Sequence, residues 1–143
     1  MAASRERVPV VIVEYDEIAR TIATRIAQII KDRRAAGGRA VLGLATGSTP
    51  IGIYRELIKM HKEDGLDFSD VVTFNLDEYY PMKPDSIHSY HRYMWENLFN
   101  HINVKRQNIH IPKGDVPRDD VDEECEAYEA AIKAAGGIDL QIL

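Results

Sequence analysis

Residues 39–57 read RAVLGLATGSTPIGIYREL, and this stretch decides the fold. Arg39 to Ala45 (RAVLGLA) is a short, mostly apolar run of strand length. From Pro50 onward the apolar residues Ile53, Tyr54, Leu57 and Ile58 recur at steps of one to four, the spacing of a helix that buries one face. Thr46-Gly47-Ser48-Thr49 lies between them. A strand that passes through a tight turn into a helix is half of a crossover unit. Such units build parallel sheets with helices on their faces.

The rest of the chain repeats that alternation. Val8 to Tyr15 (VPVVIVEY) is a β-branched run expected to form a buried strand. Ile18, Ile22, Ile26, Ile29 and Ile30 mark a helix, with Asp16 at the N-cap position and Gly37-Gly38 at its stop. Val71 to Leu76 is a further strand. HSYHRYMWENLFNHI (88–102) is helical, Asn108 to Ile111 a brief strand, and Val121, Cys125, Tyr128 and Ile132 mark a last helix ended by Gly136-Gly137. Ile138 to Leu143 begins another strand. The expected class is therefore α/β, a three-layer domain with a mostly parallel sheet and crossover helices.

With 143 residues the chain has the size of one ordinary domain. A net charge of −5 argues against nucleic acid or an anionic membrane as the main partner, since both require a basic face. Cys125 is the single cysteine, so no intrachain disulfide forms; its helical setting predicts a partly buried thiol. No run of about 18 apolar residues occurs, and MAASRERVP lacks the apolar core of a signal peptide, which points to the cytoplasm. The chain ends on an apolar strand where a functional loop should begin, the mark of a truncated domain.

The turn at 46–50 has two readings. Pro50 suits the first helical position and Thr49 the N-cap, so the residues serve a plain helix start, with Gly47 only turning the chain. The same free N–H groups, helix dipole and hydroxyls also make a place for a phosphate. No Gly-Lys-Ser/Thr follows, which excludes a Walker loop, and the spaced glycines of a dinucleotide site are missing. Asp77 and Glu78 follow the Val71–Leu76 strand and belong at the same carboxyl edge of the sheet. A carboxylate there can serve as a general base on a carbon acid, or Asp77 can simply cap a turn.

LGLATGSTPIGIYRELIKMH, then VVTFNLDEYY, then HSYHRYMWENLFNHI resemble the glucosamine-6-phosphate deaminase (isomerase) family from about Val11 onward. The pairing of TGSTP with F-N-x-D-E-Y is what carries the resemblance. It implies a Rossmann-like fold of which residues 1–143 are the N-terminal portion. It also implies conversion of glucosamine 6-phosphate and water to fructose 6-phosphate and ammonia, with neither metal nor organic cofactor. Under it Asp77 is the base that removes the C2 proton, Glu78 positions or tunes that base, and Thr46, Gly47, Ser48 and Thr49 bind the phosphate. Family members commonly form oligomers. The family's ring-opening aspartate, histidine and glutamate, and its later phosphate-clamping basic residues, come after the strand that starts at Ile138. They have no counterpart in this chain.

A related 6-phosphogluconolactonase and a non-catalytic sugar-phosphate sensor are the alternatives. His88 and His91 read as a partly exposed helix face, Trp95 and Phe99 as core, and Tyr79 and Tyr80 as packing or as the wall of a crevice. The acid-rich stretch 115–126 reads as a solvated helix face.

Overall fold

The computed structural model describes residues 8–143. Four strands, β1 (Val41–Leu44), β2 (Val72–Asn75), β3 (Ile109–His110) and β4 (Leu140–Gln141), form one sheet in the order β3-β2-β1-β4. All three pairings are parallel, as the alternation of strand and helix requires. The helices are α1 (Ile18–Ala35), α2 (Ile51–Asp64), α3 (Tyr90–Asn97) and α4 (Val121–Ala134).

Side chains alternate across the sheet and sort into two layers. Leu42 and Leu44 face the larger core, where Ile26 and Ile30 of α1, Tyr54 and Leu57 of α2 and Met94 of α3 are buried. Val41, Val72 and Phe74 face the other way, against Tyr128, Ala131 and Ile132 of α4 and Ala135 just past its end. Each apolar side chain taken wholly out of water in this way contributes about 1.5–3 kcal/mol. Arg34, at the end of α1, donates to Asp70 (2.9 Å) and to the Asp67 carbonyl (2.8 Å), tying that helix to the loop that feeds β2.

Four expectations need correction. Val8 to Glu14 is not a strand: Val8 is 84% and Ile12 92% exposed. A β-branched run can pair, but it must meet a free edge, and none of the described strands bonds to it. A 3-10 turn, Tyr15–Glu17, absorbs Asp16, so Glu17 holds the cap of α1 and no side chain caps its first turn. Helix α2 starts one residue later than expected. Pro50 is its cap and accepts the Tyr54 N–H (3.0 Å), and Thr49 makes no capping bond. Cys125 is exposed, because the stripe of α4 that meets the sheet runs through Tyr128, Ala131 and Ile132, and Cys125 falls beside it. Among the described residues no helix is long and apolar enough to cross a membrane.

Candidate functional site

Strands β1 and β2 are neighbours in register, Leu44 opposite Asn75, and the Leu76 N–H donates to the Leu44 carbonyl (2.9 Å). Two residues past each strand end stand Thr46 and Asp77. The sheet therefore brings the glycine turn and the carboxylates to adjacent positions on one edge, where ligands of open parallel sheets bind.

The turn is held from beneath by two phenols. Tyr54, fully buried, donates its hydroxyl to the Ala45 carbonyl and accepts the Ala45 N–H (3.2 Å). Burial pushes its ionisation far above the ordinary tyrosine range, so it remains a neutral phenol. Tyr93 of α3 donates to the Gly47 carbonyl (2.5 Å). Gly47 sits at φ +97°, a conformation that side chains disfavour, and Ser48 and Thr49 are exposed beside it. No side chain caps the first turn of α2, which leaves its N–H groups and the positive end of its dipole open to an anion. A groove of about 650 Å³ runs from Ser48 and Thr49 to Leu140 and Ile142 at the end of β4.

The two adjacent carboxylates have different surroundings. Asp77 is exposed, and among the described residues no hydrogen bond or ion pair engages it. Glu78 is fully occupied. One of its oxygens accepts the N–H groups of Tyr79 and Tyr90 (2.9 Å each), and the other accepts that of His91 (3.0 Å). It thus caps α3 together with Ser89, whose hydroxyl accepts the Arg92 N–H (3.0 Å) and donates to the Pro84 carbonyl (2.8 Å).

The loop after Glu78 is fixed by the segment that follows β3. Met82 N–H donates to the Gly114 carbonyl (2.7 Å), and the Tyr80 hydroxyl donates to the Val116 carbonyl (2.9 Å). Gly114 is pressed against the carbonyls of Tyr79 and Met82, so a Cβ there would collide with backbone. Behind this loop lies a cleft of about 520 Å³ lined by Glu78, His91, Trp95, Arg106 and Lys113. Neither Asp77 nor Thr46 lines it.

His91 is thus on a helix face, whereas His88 precedes α3 and is exposed. His61 and His101 bind the carbonyls of Leu66 (2.6 Å) and Glu96 (2.8 Å), and His110 stacks on Phe74 with ring centres 4.3 Å apart. Phe99 is buried; Trp95 is half-buried, edge-on to Phe99, with the Arg106 guanidinium over its face at 5.5 Å. Tyr79 and Tyr80 are about half exposed, and Tyr79 packs on Tyr90 with ring centres 4.7 Å apart. Sequence reasoning missed Tyr54, Tyr93 and Gly114. Ser89 could have been found, since serine just before a helical stretch is a capping signal. Among the described residues no group of three or more His, Cys, Asp or Glu side chains could hold a metal ion.

Comparison with known proteins bears on the family and the fold. Residues 14–143 match the family model described as glucosamine-6-phosphate isomerases/6-phosphogluconolactonase. The glucosamine-6-phosphate deaminase of Thermoanaerobacter sp. (strain X514) is 50% identical over 134 residues, 94% of this chain and 51% of that protein. A solved monomeric glucosamine-6-phosphate deaminase superposes with a TM-score of 0.82 at 41% identity, covering 90% of this chain and 51% of the other. The 6-phosphogluconolactonase from Plasmodium vivax follows with a TM-score of 0.69 at 26% identity, covering 87% and 41%. The chain spans about half the length of the relatives it matches. The family model matches most of the chain and the fold agrees with it, so the chain belongs to the glucosamine-6-phosphate isomerase/6-phosphogluconolactonase family.

Proposed function

We propose that the protein carrying this chain is a glucosamine-6-phosphate deaminase, with the 46–49 turn binding the phosphate and Asp77 as the base. The observation that carries this reading is the placement of Thr46 and Asp77 at equivalent positions past two adjacent parallel strands. An anion site and an unengaged carboxylate then share one edge. The deaminases at 41–50% identity support the same choice over the lactonase at 26%.

In the open-chain substrate the C2 proton lies next to the C1 aldehyde and is weakly acidic. Asp77 takes that proton, the C–H electron pair forms the C1–C2 double bond, and the carbonyl pair moves to the C1 oxygen, which takes a proton from water to give the enolamine. Return of a proton to C1 gives an imine at C2; water adds there, ammonia leaves, and fructose 6-phosphate remains. A positioned base contributes about 10²–10⁴-fold to such a step. Anchoring the phosphate orients C2 against Asp77, so that binding energy at one end of the molecule assists chemistry at the other. Opening of the sugar ring is assigned to the half of the relatives' length that this chain does not span. The resemblance of the chain to a monomeric enzyme supports a site that one polypeptide completes.

Fusion of residues 1–143 to the second half of the Thermoanaerobacter enzyme provides the test. Ammonia release from glucosamine 6-phosphate is expected, falling about 10³-fold in Asp77→Asn. Equal rates with and without the Asp77 carboxylate would refute the assignment, and hydrolysis of 6-phosphogluconolactone without ammonia release would select the lactonase.

A further inference from the structure

We propose that the cleft behind the Glu78–Met82 loop is a second ligand site, one that takes a small organic carboxylate carried on a flat, apolar body. The proposal goes beyond the functional reading above and does not rest on it.

The cleft is separate from the sheet edge. It holds about 520 Å³, and neither Asp77 nor any residue of the glycine turn lines it. That volume is in the range of small-molecule sites. A second hollow of about 460 Å³ shares Pro84, His91, Trp95 and Arg106 with it.

Its walls are of two kinds. Pro84, Trp95, Ile109 and Ile111 supply apolar surface, and Arg106 and Lys113 supply charge. Among the described residues no salt bridge or side-chain hydrogen bond engages either cation. Glu78, an acid in the same lining, already gives both carboxylate oxygens to three backbone N–H groups. Asp115 is the other lining acid, so two cations face one uncommitted carboxylate. A singly charged anion balances the remainder.

Arg106 selects among anions. Its guanidinium lies over the Trp95 ring, 5.5 Å from the centre, a contact that restrains a long side chain before any ligand arrives. A planar fork of donors matches a carboxylate with two parallel N–H···O bonds, and a lysine ammonium can add another. The His91 ring stands 6.2 Å from that of Trp95, which extends the aromatic surface along the wall. The indole N–H of Trp95 is out of water with no partner among the described residues. A buried donor of that kind costs free energy until an acceptor reaches it. The apolar walls cover the flat body, which an inorganic anion lacks.

Trp95 is the single tryptophan of the chain, so its fluorescence reports on the cleft directly. The test is titration of the full 143-residue chain with benzoate, benzamide and acetate. Benzoate should change the Trp95 emission saturably, with a Kd on the order of a few millimolar for so small a ligand. Amide chemical shifts at 91–95 and 106–113 should move with the same Kd. Benzamide has the ring without the charge and acetate the charge without the ring; each should bind at least about tenfold more weakly. Arg106→Met should weaken benzoate about tenfold and Lys113→Gln about threefold, both at exposed positions where the fold tolerates change. Arg106→Lys, which keeps the charge and loses the fork, should fall between Arg106→Met and the wild type. Inorganic phosphate, the probe for the glycine turn, should not displace benzoate at equal concentration. Neither emission nor shifts responding saturably, benzamide or acetate binding as tightly as benzoate, or undiminished binding in Arg106→Met would overturn the proposal. Displacement by phosphate would put the probe at the turn and overturn it as well.

Discussion

Replacing Tyr54 by phenylalanine removes one oxygen from beneath the glycine turn and nothing else. The ring still fills its place, so no cavity term enters, and the cost is confined to hydrogen bonding. Two bonds are lost, since the hydroxyl both donates to the Ala45 carbonyl and accepts the Ala45 N–H at 3.2 Å. Ala45 is only 8% exposed, which prevents water from taking over both roles. At about 1 kcal/mol for each bond, the long one included, the expected loss is about 2 kcal/mol. For a domain between the 100- and 150-residue classes that lowers Tm by about 6–8 °C. Urea unfolding followed by circular dichroism would measure it, with the midpoint moved and the slope against urea unchanged. Tyr15→Phe, at a tyrosine 91% exposed, is the control and should change stability by less than about 0.5 kcal/mol. A Tyr54→Phe chain as stable as the control would refute the idea that this phenol braces the turn.

Two further outcomes follow from the same geometry. Gly114→Ala drives a methyl group towards the carbonyls of Tyr79 and Met82 and should cost about 1–3 kcal/mol, with amide shifts concentrated at 78–82; a neutral change would show that the loop is not braced there. The Asp67 carboxyl is held down to about 2 by the Ser69 N–H, the Asn103 amide and, more weakly, Arg34. Its folded value is below its unfolded one, so the stabilisation is complete above about pH 4 and is lost as pH falls towards 2. Exposure of the group keeps that contribution modest. Asp67→Asn should flatten stability against pH in that window, and an unchanged slope between pH 4 and 2 would refute the assignment.

Much of the fold was legible because its signals are local. The helical spacing of Ile53, Tyr54 and Leu57, the turn before them and the strand before that lie within twenty residues, and they entail a parallel sheet. Pairing is not local, and the Val8–Glu14 run shows the difference: its residues say that it can join a sheet and nothing about whether an edge awaits it. The placement of Asp77 beside the turn was legible once both strands were assumed parallel. The supports were not. Tyr93 reaches Gly47 across 46 residues, and the same tyrosine in the helical pattern of α3 reads only as part of an apolar face. Glu78 was read as a partner of the base from its neighbouring position in sequence. Its hydrogen bonds run to residues 12 and 13 positions away, which adjacency could not reveal.

Helix α3 touches both loops of the edge within its own first turn, through Tyr90 at one end and Tyr93 at the other. Three residues of helix rise about 4.5 Å, and that short rod acts as a spacer gauge. The gap between the Asp77–Glu78 loop and the glycine turn is then fixed by a rigid length of backbone as well as by the spacing of two strands. One extra residue between His91 and Tyr93 would swing the second phenol about 100° around the rod and free the glycine turn while leaving the sheet intact.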